Sequence, residues 1–271
     1  MSLLTVTILV ENTTLPGTGL TPEDGFSAYI EADGTSILFD TGQSGIFLEN
    51  AKKLGINLNP DYLVLSHGHR DHTGGLAALS DTTFPQPPVC IGHPHLFYRK
   101  FKKGSEFGIP VTEEALSRIC TLRLTKEPVW LSENLLFLGE IPRRHGHELP
   151  EAGRVVLIDG KEVPDLLPDD TALVYRSPGG QVIISGCAHS GICNIIDQAI
   201  RVTGTGEVAA VIGGIHLYTS DKERIAATGE FFREKGVKAL YLCHCTGSTA
   251  ISTFSRSLPV KPCGCGCRIT I

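Results

Sequence analysis

Between Leu65 and Gly75 the chain reads LSHGHRDHTGG, which places His67, His69, Asp71 and His72 within six consecutive positions. Imidazole and carboxylate are donors that suit Zn, Fe or Mn, and Zn–N bonds of ~2.0–2.1 Å demand ligands that converge on a small volume. The apolar run YLVLS (62–66) precedes the motif and a helical pattern follows it. A turn at the end of a strand would point these side chains into one space, so the spacing predicts a metal site. His189, His216 and His244 also sit at or within a few residues of the end of an apolar run, beside glycine or cysteine.

The elements that must carry these residues alternate. Apolar runs rich in β-branched residues predict strands over 5–10, 26–31, 35–40, 62–66, 88–92, 135–139, 171–176, 181–187, 208–214 and 238–243. Helical periodicity predicts helices over 44–55, 72–80, 112–119, 191–204, 221–236 and 248–257, and Gly55, Gly204 and Gly236 stand where a left-handed residue ends a helix. Short, continuously apolar strands belong to sheets covered on their faces, so the class is α/β with sheets between helical layers. No Ser/Gly-rich linker or charge run divides the 271 residues. A single domain over 1–271 is expected, with an insertion or lid around 93–125 and a Cys-rich tail at 263–271.

The balance of 24 Lys+Arg against 29 Asp+Glu gives a formal net charge of -5, with no broad attraction to polyanions. No nucleic-acid or membrane partner is therefore expected. A hydrophobic content of 41% excludes a disordered chain. No apolar run approaches the ~18 residues of a membrane span, and the start, MSLLTVTILVENTT, lacks a basic n-region and a cleavage site, so a cytoplasmic location is expected. The nine cysteines fit a reducing compartment: Cys243 and Cys245 flank His244, and Cys263, Cys265 and Cys267 alternate with glycine. On a terminal strand over 263–271 those last three would share a face and could bind a soft metal or meet an oxidant, although three thiols do not complete a tetrahedral zinc site.

The HxHxDH turn occurs together with VENTT (10–14), DGFSAYIE (24–31), ILFDTGQSG (37–45), GEIPR (139–143), DDTALVY (169–175), ISGCAHSGICNII (184–196), GGIHL (213–217) and CHCTG (243–247). The set resembles the metallo-β-lactamase superfamily over nearly the whole chain. Within it, the combination is similar to the subgroup of dihydropterin-ribofuranosylaminobenzene phosphate synthases, most of whose members are predicted metal-dependent hydrolases. The resemblance implies an αββα sandwich, two mixed sheets between helical layers, with metals in a cleft at the sheet edge. It implies two divalent ions, zinc first, with iron or manganese as alternatives. His67 and His69 would serve one ion, and Asp71, His72 and His244 the other. The superfamily's usual third-motif histidine has no direct counterpart; His189 is expected to replace it at the first ion, with Cys187 a near neighbour or weak ligand. Asp40 is expected behind the ligands, hydrogen-bonding an imidazole, or as a turn cap. Asp71 and His216 are the expected catalytic groups, His216 having a structural role as its alternative.

Two metals ~3.5–4 Å apart acidify a water toward a pKa of ~7 and polarise the electrophile it attacks. That chemistry implies hydrolysis of a small ester or phosphoester. The subgroup also implies a transferase joining a hydroxymethyl-dihydropterin pyrophosphate to a ribofuranosylaminobenzene phosphate. A non-catalytic metal-binding or redox-sensing module built on the Cys-rich tail is a reading from a different class. For a phosphorylated small molecule the basic cluster FYRKFKKG supplies expected contacts in Arg99, Lys100 and Lys103, with His147 beside them; a solvated basic loop is the alternative. Phe97, Tyr98, Phe101 and Phe107 would stack a planar ring or pack a lid, and GQSG (42–45) offers backbone N–H groups to an anion. The oligomeric state is not legible.

Overall fold

A computed structural model describes residues 4–79 and 84–271. In chain order the first elements are β1 (Leu4–Val10), β2 (Ser27–Ala32), β3 (Thr35–Phe39), α1 (Ile46–Lys53), β4 (Tyr62–Val64), α2 (Arg70–Thr73), α3 (Leu76–Leu79) and β5 (Val89–Gly92). A middle stretch follows with β6 (Lys100–Lys102), β7 (Ser105–Glu106), α4 (Glu113–Leu116), β8 (Thr121–Leu124), β9 (Val129–Trp130), β10 (Leu135–Phe137), β11 (Arg154–Ile158) and β12 (Lys161–Pro164). The remainder holds β13 (Ala172–Ser177), β14 (Gly180–Ser185), α5 (Ile192–Thr203), β15 (Val208–Gly213), α6 (Lys222–Glu234), β16 (Leu240–Leu242), α7 (Ser248–Phe254) and β17 (Arg268–Thr270).

Two mixed sheets, ordered β17-β1-β2-β3-β4-β5-β8 and β16-β15-β14-β13-β10-β9, pack face to face. Val6, Ile8, Phe26, Ile37 and Phe39 meet Phe137, Tyr175, Val182, Ile184 and Ile212 in the layer between them. The opposite face of the first sheet, with Leu38, Leu63 and Leu65, is covered by Phe47, Ala51, Leu76 and Leu79. The opposite face of the second, with Val174, Ile183 and Val211, is covered by Ile192, Ile195, Ile196, Phe232 and Phe254. Strands buried on both faces have no solvated side to alternate with, which is why they read as continuous apolar runs. Each fully buried Val, Ile, Leu or Phe contributes about 1.5–3 kcal/mol, so this three-layer burial dominates the stabilising side of folding. Gly55, Gly204 and Gly236 take the left-handed conformation after their helices, at φ 71, 73 and 60.

Four expectations need correction. The helix expected over 72–80 is broken at Gly74 and Gly75 into α2 and α3, and its last residue lies outside the described residues. A Cβ at 74 would strike the Gln43 carbonyl and one at 75 the Thr41 carbonyl, so close approach of this loop requires glycine at both. The helix expected over 112–119 shrinks to α4, whose N-cap Thr112 accepts from the Ala115 N–H. The segment expected as a lid, 93–125, divides: β6 and β7 join β11 and β12 in a third sheet, while α4 and β8 return to the first. The tail is a strand only over Arg268–Thr270, so the three cysteines before it do not share a strand face. Cys265 Sγ instead accepts the Glu11 N–H at 3.2 Å, and Cys263 lies against Cys243 and Cys267. No helix among the described residues is long and apolar enough to cross a membrane.

Candidate metal centre

Parallel strands deliver their C-terminal ends to one edge, and every proposed ligand leaves such an end. β3, β4 and β5 run parallel in the first sheet, β14, β15 and β16 in the second. Asp40 follows β3, the HxHxDH turn follows β4, Cys187 and His189 follow β14, His216 follows β15 and His244 follows β16. Asp40, Ala188, His216 and His244 all have positive φ (56, 54, 48 and 48) although none is glycine. A left-handed L-residue costs roughly 1–2 kcal/mol, and such residues cluster where surrounding structure holds functional side chains in place.

The turn itself is pinned from three sides. The Gly68 N–H donates to Asp169 Oδ2 at 2.8 Å, the Arg70 N–H to the Phe107 carbonyl at 2.8 Å, and the Thr171 N–H to the Ser66 carbonyl at 3.0 Å. The His69 backbone also forms an isolated antiparallel bridge to Gly108, just beyond β7. The buried carboxylate of Asp169 is in turn held by Lys100 Nζ at 2.9 Å.

Seven side chains form two abutting donor sets. His67, His69 and His189 make one; Asp71, His72, Cys187 and His244 make the other, the ligand-capable atoms of each lying within 4.8 Å of one another. His72 Nε2 is 3.1 Å from Cys187 Sγ and 3.2 Å from His244 Nε2, and Asp71 Oδ2 is 3.6 and 3.5 Å from those two imidazole nitrogens. Ligands at tetrahedral corners with bonds of ~2.0–2.1 Å are spaced by about 3.3–3.4 Å, so the second set has the dimensions of a zinc site. In the first set His67 Nε2 and His189 Nε2 are buried without a hydrogen-bond partner. Orphaned buried nitrogens are costly unless something other than the polypeptide engages them, and a cation does so. The residues present therefore fit a pair of divalent ions.

Hydrogen bonds fix which nitrogen faces inward in three of the rings. His72 Nδ1 donates to Asp40 Oδ2 at 2.7 Å, and His67 Nδ1 sits 2.9 Å from Ser66 Oγ, which itself donates to Asp40 Oδ2 at 2.6 Å. His244 Nδ1 is 2.9 Å from Asn12 Oδ1. All three rings are thus left with Nε2 as the free donor. Gly186 must lack a side chain here, since a Cβ would collide with Ser66 Oγ and Asp40 Oδ2.

The electrostatics divide the sets. Burial, reinforced by neighbouring imidazoles, pushes His67, His69 and His189 well below the ordinary histidine value, so all three are neutral and carry a lone pair. For His72 burial acts the same way, but the carboxylates of Asp71 and Asp40 prevail and hold it up to about 9. Burial opposes ionisation of Asp71 as well; His72 and His244 outweigh it and keep the carboxyl well below its usual range. Burial also pushes the Cys187 thiol up, so it becomes a thiolate only against a cation.

The two sets open on a cleft of about 490 Å³, lined among others by His69, Asp71, Phe107, Arg154, Cys187, His189, His216, Tyr218 and His244. His216 lies 4.1 Å, ring to ring, from His189 and 3.3 Å from Glu151 Oε1. The basic cluster expected to meet a substrate does not reach this cleft. Lys100 is 1% exposed and paired with Asp165 at 3.1 Å and Asp169 at 2.9 Å. Arg99 is paired with Glu106 on the surface, and Lys103 occupies the exposed turn between β6 and β7. His147 lines a neighbouring cavity with Arg224 and Glu223, its Nε2 3.7 Å from Cys193. The GQSG turn does bind an anion, but an internal one: the Gln43 and Ser44 N–H groups donate to Glu23 at 3.1 Å each. Arg154, Glu151, Asn12 and Ser66 are further site residues. Ser66 directly precedes the HxHxDH turn and Asn12 lies in the VENTT segment, whereas Glu151 and Arg154 carry no sequence signal.

A family model described as the metallo-beta-lactamase superfamily matches residues 20–244. A Methanocaldococcus jannaschii protein named 7,8-dihydropterin-6-methyl-4-(beta-D-ribofuranosyl)-aminobenzene-5'-phosphate synthase is 33% identical over 247 residues, 86% of this chain and 84% of its own. An uncharacterized protein of the same organism is 31% identical over 253 residues, covering 93% of this chain and 94% of its own. The solved structure of Tm1679, described as a metal-dependent hydrolase of the beta-lactamase superfamily, superposes with a TM-score of 0.87 at 30% identity, over 98% of both chains. The layered sheets, the strand-end ligands and these matches agree: the chain belongs to the metallo-beta-lactamase superfamily.

Proposed function

We propose that this protein is an enzyme that uses two divalent ions, zinc being the one its donors suit best, to activate water against a small ester or phosphoester. The observation that carries the reading is the abutment of the two donor sets on one cleft. Ions held there would supply an electrophile for substrate oxygen and bring a water's pKa down toward ~7. The chain's own groups supply the proton handling. Asp71 reaches the cleft ionised, its side chain 28% exposed, placed to orient a water or accept a proton. His216 is placed to protonate a leaving group: burial works against its cation, but contacts with Cys245 and Glu151 prevail and raise its pKa.

The 33% identity to a named synthase favours a second reading on the same machinery. There the nucleophile is the arylamine nitrogen of a ribofuranosylaminobenzene phosphate. It forms a bond to the exocyclic methylene carbon of a dihydropterin, pyrophosphate leaves with the electron pair of the broken C–O bond, and the nitrogen gives up one N–H proton, for which Asp71 is the acceptor in the cleft. Half-buried Phe107 and exposed Tyr218 in the cleft wall offer faces for a flat ring.

Purified protein assayed with bis(p-nitrophenyl) phosphate, and separately with the two pterin substrates, distinguishes the readings. Pyrophosphate release that needs both pterin substrates supports the synthase; phosphodiester cleavage without it supports the hydrolase. Protein that carries no metal and cannot be loaded with any would sink both.

A further inference from the structure

Among the described residues, Arg154 is the one guanidinium that lines the cleft. It stands at the start of β11 in the third sheet, is 7% exposed, and lies 5.4 Å over the ring of Phe107. One edge of the guanidinium is already taken, since Nε and Nη2 both donate to Glu151 Oε2 at 3.0 and 2.7 Å. On the far side Nη1 lies 3.2 Å from Nε2 and 3.5 Å from Nδ1 of His69.

A neutral imidazole has one acceptor nitrogen and one N–H. Whichever nitrogen of His69 is the metal donor, its only lone pair is then committed, and the ring keeps nothing for Arg154 to bond. The guanidinium would be left with a buried, unmet N–H beside two divalent charges, which is costly on both counts. An anionic oxygen placed between Arg154 and the donor sets removes both costs. Glu151 cannot be that anion, because its Oε2 is spent on Arg154 and its Oε1 on His216 at 3.3 Å and Thr219 at 3.0 Å.

From this geometry we infer that Arg154 is a substrate-binding residue whose Nη1 holds a phosphoryl oxygen of the substrate against the metal centre. The anions among the donors are the Asp71 carboxylate and the Cys187 thiolate, fewer than the charges two divalent ions bring. The surplus favours a dianionic phosphoryl or pyrophosphoryl group over a monoanionic carboxylate. The inference rests on the metal-centred reading above and narrows its substrate to a phosphate-bearing one.

Calorimetry on metal-loaded protein, with inorganic phosphate, pyrophosphate and benzoate as probes, tests it. Wild-type protein binds pyrophosphate more tightly than benzoate. Arg154→Met weakens pyrophosphate by about ten- to a hundredfold at unchanged metal content, and Arg154→Lys recovers part of the loss. Equal pyrophosphate affinity in wild type and Arg154→Met, or a preference for benzoate, overturns it. Should the variants fail to fold, a crystal of the wild-type protein with pyrophosphate decides: Arg154 Nη1 within hydrogen-bond distance of a phosphoryl oxygen supports the assignment, and an anion seated elsewhere in the cleft overturns it. Wild-type protein that cannot be loaded with metal would instead remove the metal-centred reading itself.

Discussion

Asp40 supports His72 directly and His67 through one hydroxyl. Its Oδ2 accepts the His72 Nδ1–H at 2.7 Å and the Ser66 Oγ–H at 2.6 Å, and Ser66 Oγ lies 2.9 Å from His67 Nδ1. Oδ1 meanwhile accepts the Ser66 N–H at 2.7 Å. One fully buried carboxylate therefore orients a donor in each of the two sets.

Asp40→Asn is accordingly expected to weaken both sites. Outer partners of metal-ligating histidines are worth about 10–100-fold in metal affinity, because they fix the tautomer and the ring angle. A chelator-competition titration on Asp40→Asn should show both binding steps weakened by that order, with far-UV circular dichroism unchanged. An effect confined to one step would show that the Ser66 link to His67 is idle.

The donor sets should be separable. His189→Ala is expected to lower metal content from about two ions to one, and His244→Ala likewise, whereas the double variant retains none. Elemental analysis of freshly purified protein reads this out. Full occupancy in His189→Ala would mean that His216, already against Cys187 and His189 in a third donor grouping, takes its place.

How much of this was legible follows from how local each feature is. The HxHxDH turn is legible because four donors stand within six positions after a strand, and β1–β5, β10 and β13–β16 are legible because burial leaves a nearly unbroken apolar run, whereas the short, partly exposed β6–β9, β11 and β12 leave none. The placement of Lys100 is not legible, for the opposite reason. The partners that neutralise it, Asp165 and Asp169, lie 65 and 69 positions away, and a lysine beside three other basic residues looks like a surface patch until the chain folds. Arg154 was invisible on the same ground: β11 and β12 are short, carry charged residues and show no clear alternation, so nothing signals that they fold over a cleft. The tail cysteines alternate with glycine as strand residues would, but Gly266 takes a positive φ of 86 and turns the chain before β17 begins.

Metal binding should release protons unequally. His67, His69 and His189 are already neutral, so filling their set releases none from them. His72 is held up to about 9, so at pH 7.5 it is protonated in the metal-free protein and must shed that proton to ligate; the buried Cys187 thiol must do the same. The sign for stability follows. In the metal-free protein the His72 cation adds stability fully below its unfolded value near 6.5, and this is lost as pH rises through about 9. Zinc affinity of the second set should rise with pH over the same window. Calorimetry at pH 7.5 in buffers of different ionisation enthalpy should find about two protons released from these groups, falling to about one in Cys187→Ser. No difference between wild type and Cys187→Ser would remove Cys187 from the ligands.

Lys100 separates structural from substrate-binding roles within the basic cluster. Its ammonium is buried against two carboxylates, and burial opposes its charge, but Asp169 and Asp165 prevail and keep it cationic. Lys100→Met leaves both carboxylates buried with no cation, and breaking a buried pair in this way costs about 3–5 kcal/mol. The loss should spread to the metal site, because Asp169 Oδ2 is the acceptor for the Gly68 N–H inside the HxHxDH turn. Arg99→Ala breaks a solvent-exposed pair with Glu106 and an exposed stacking contact on the Phe101 ring, and should leave the melting temperature nearly unchanged. If these residues gripped substrate phosphate, the pattern would invert: both variants would raise KM at intact stability. Thermal melts of the two variants, with metal content measured alongside, decide between the patterns, and a Lys100→Met protein as stable and metal-replete as wild type would return Lys100 to the substrate.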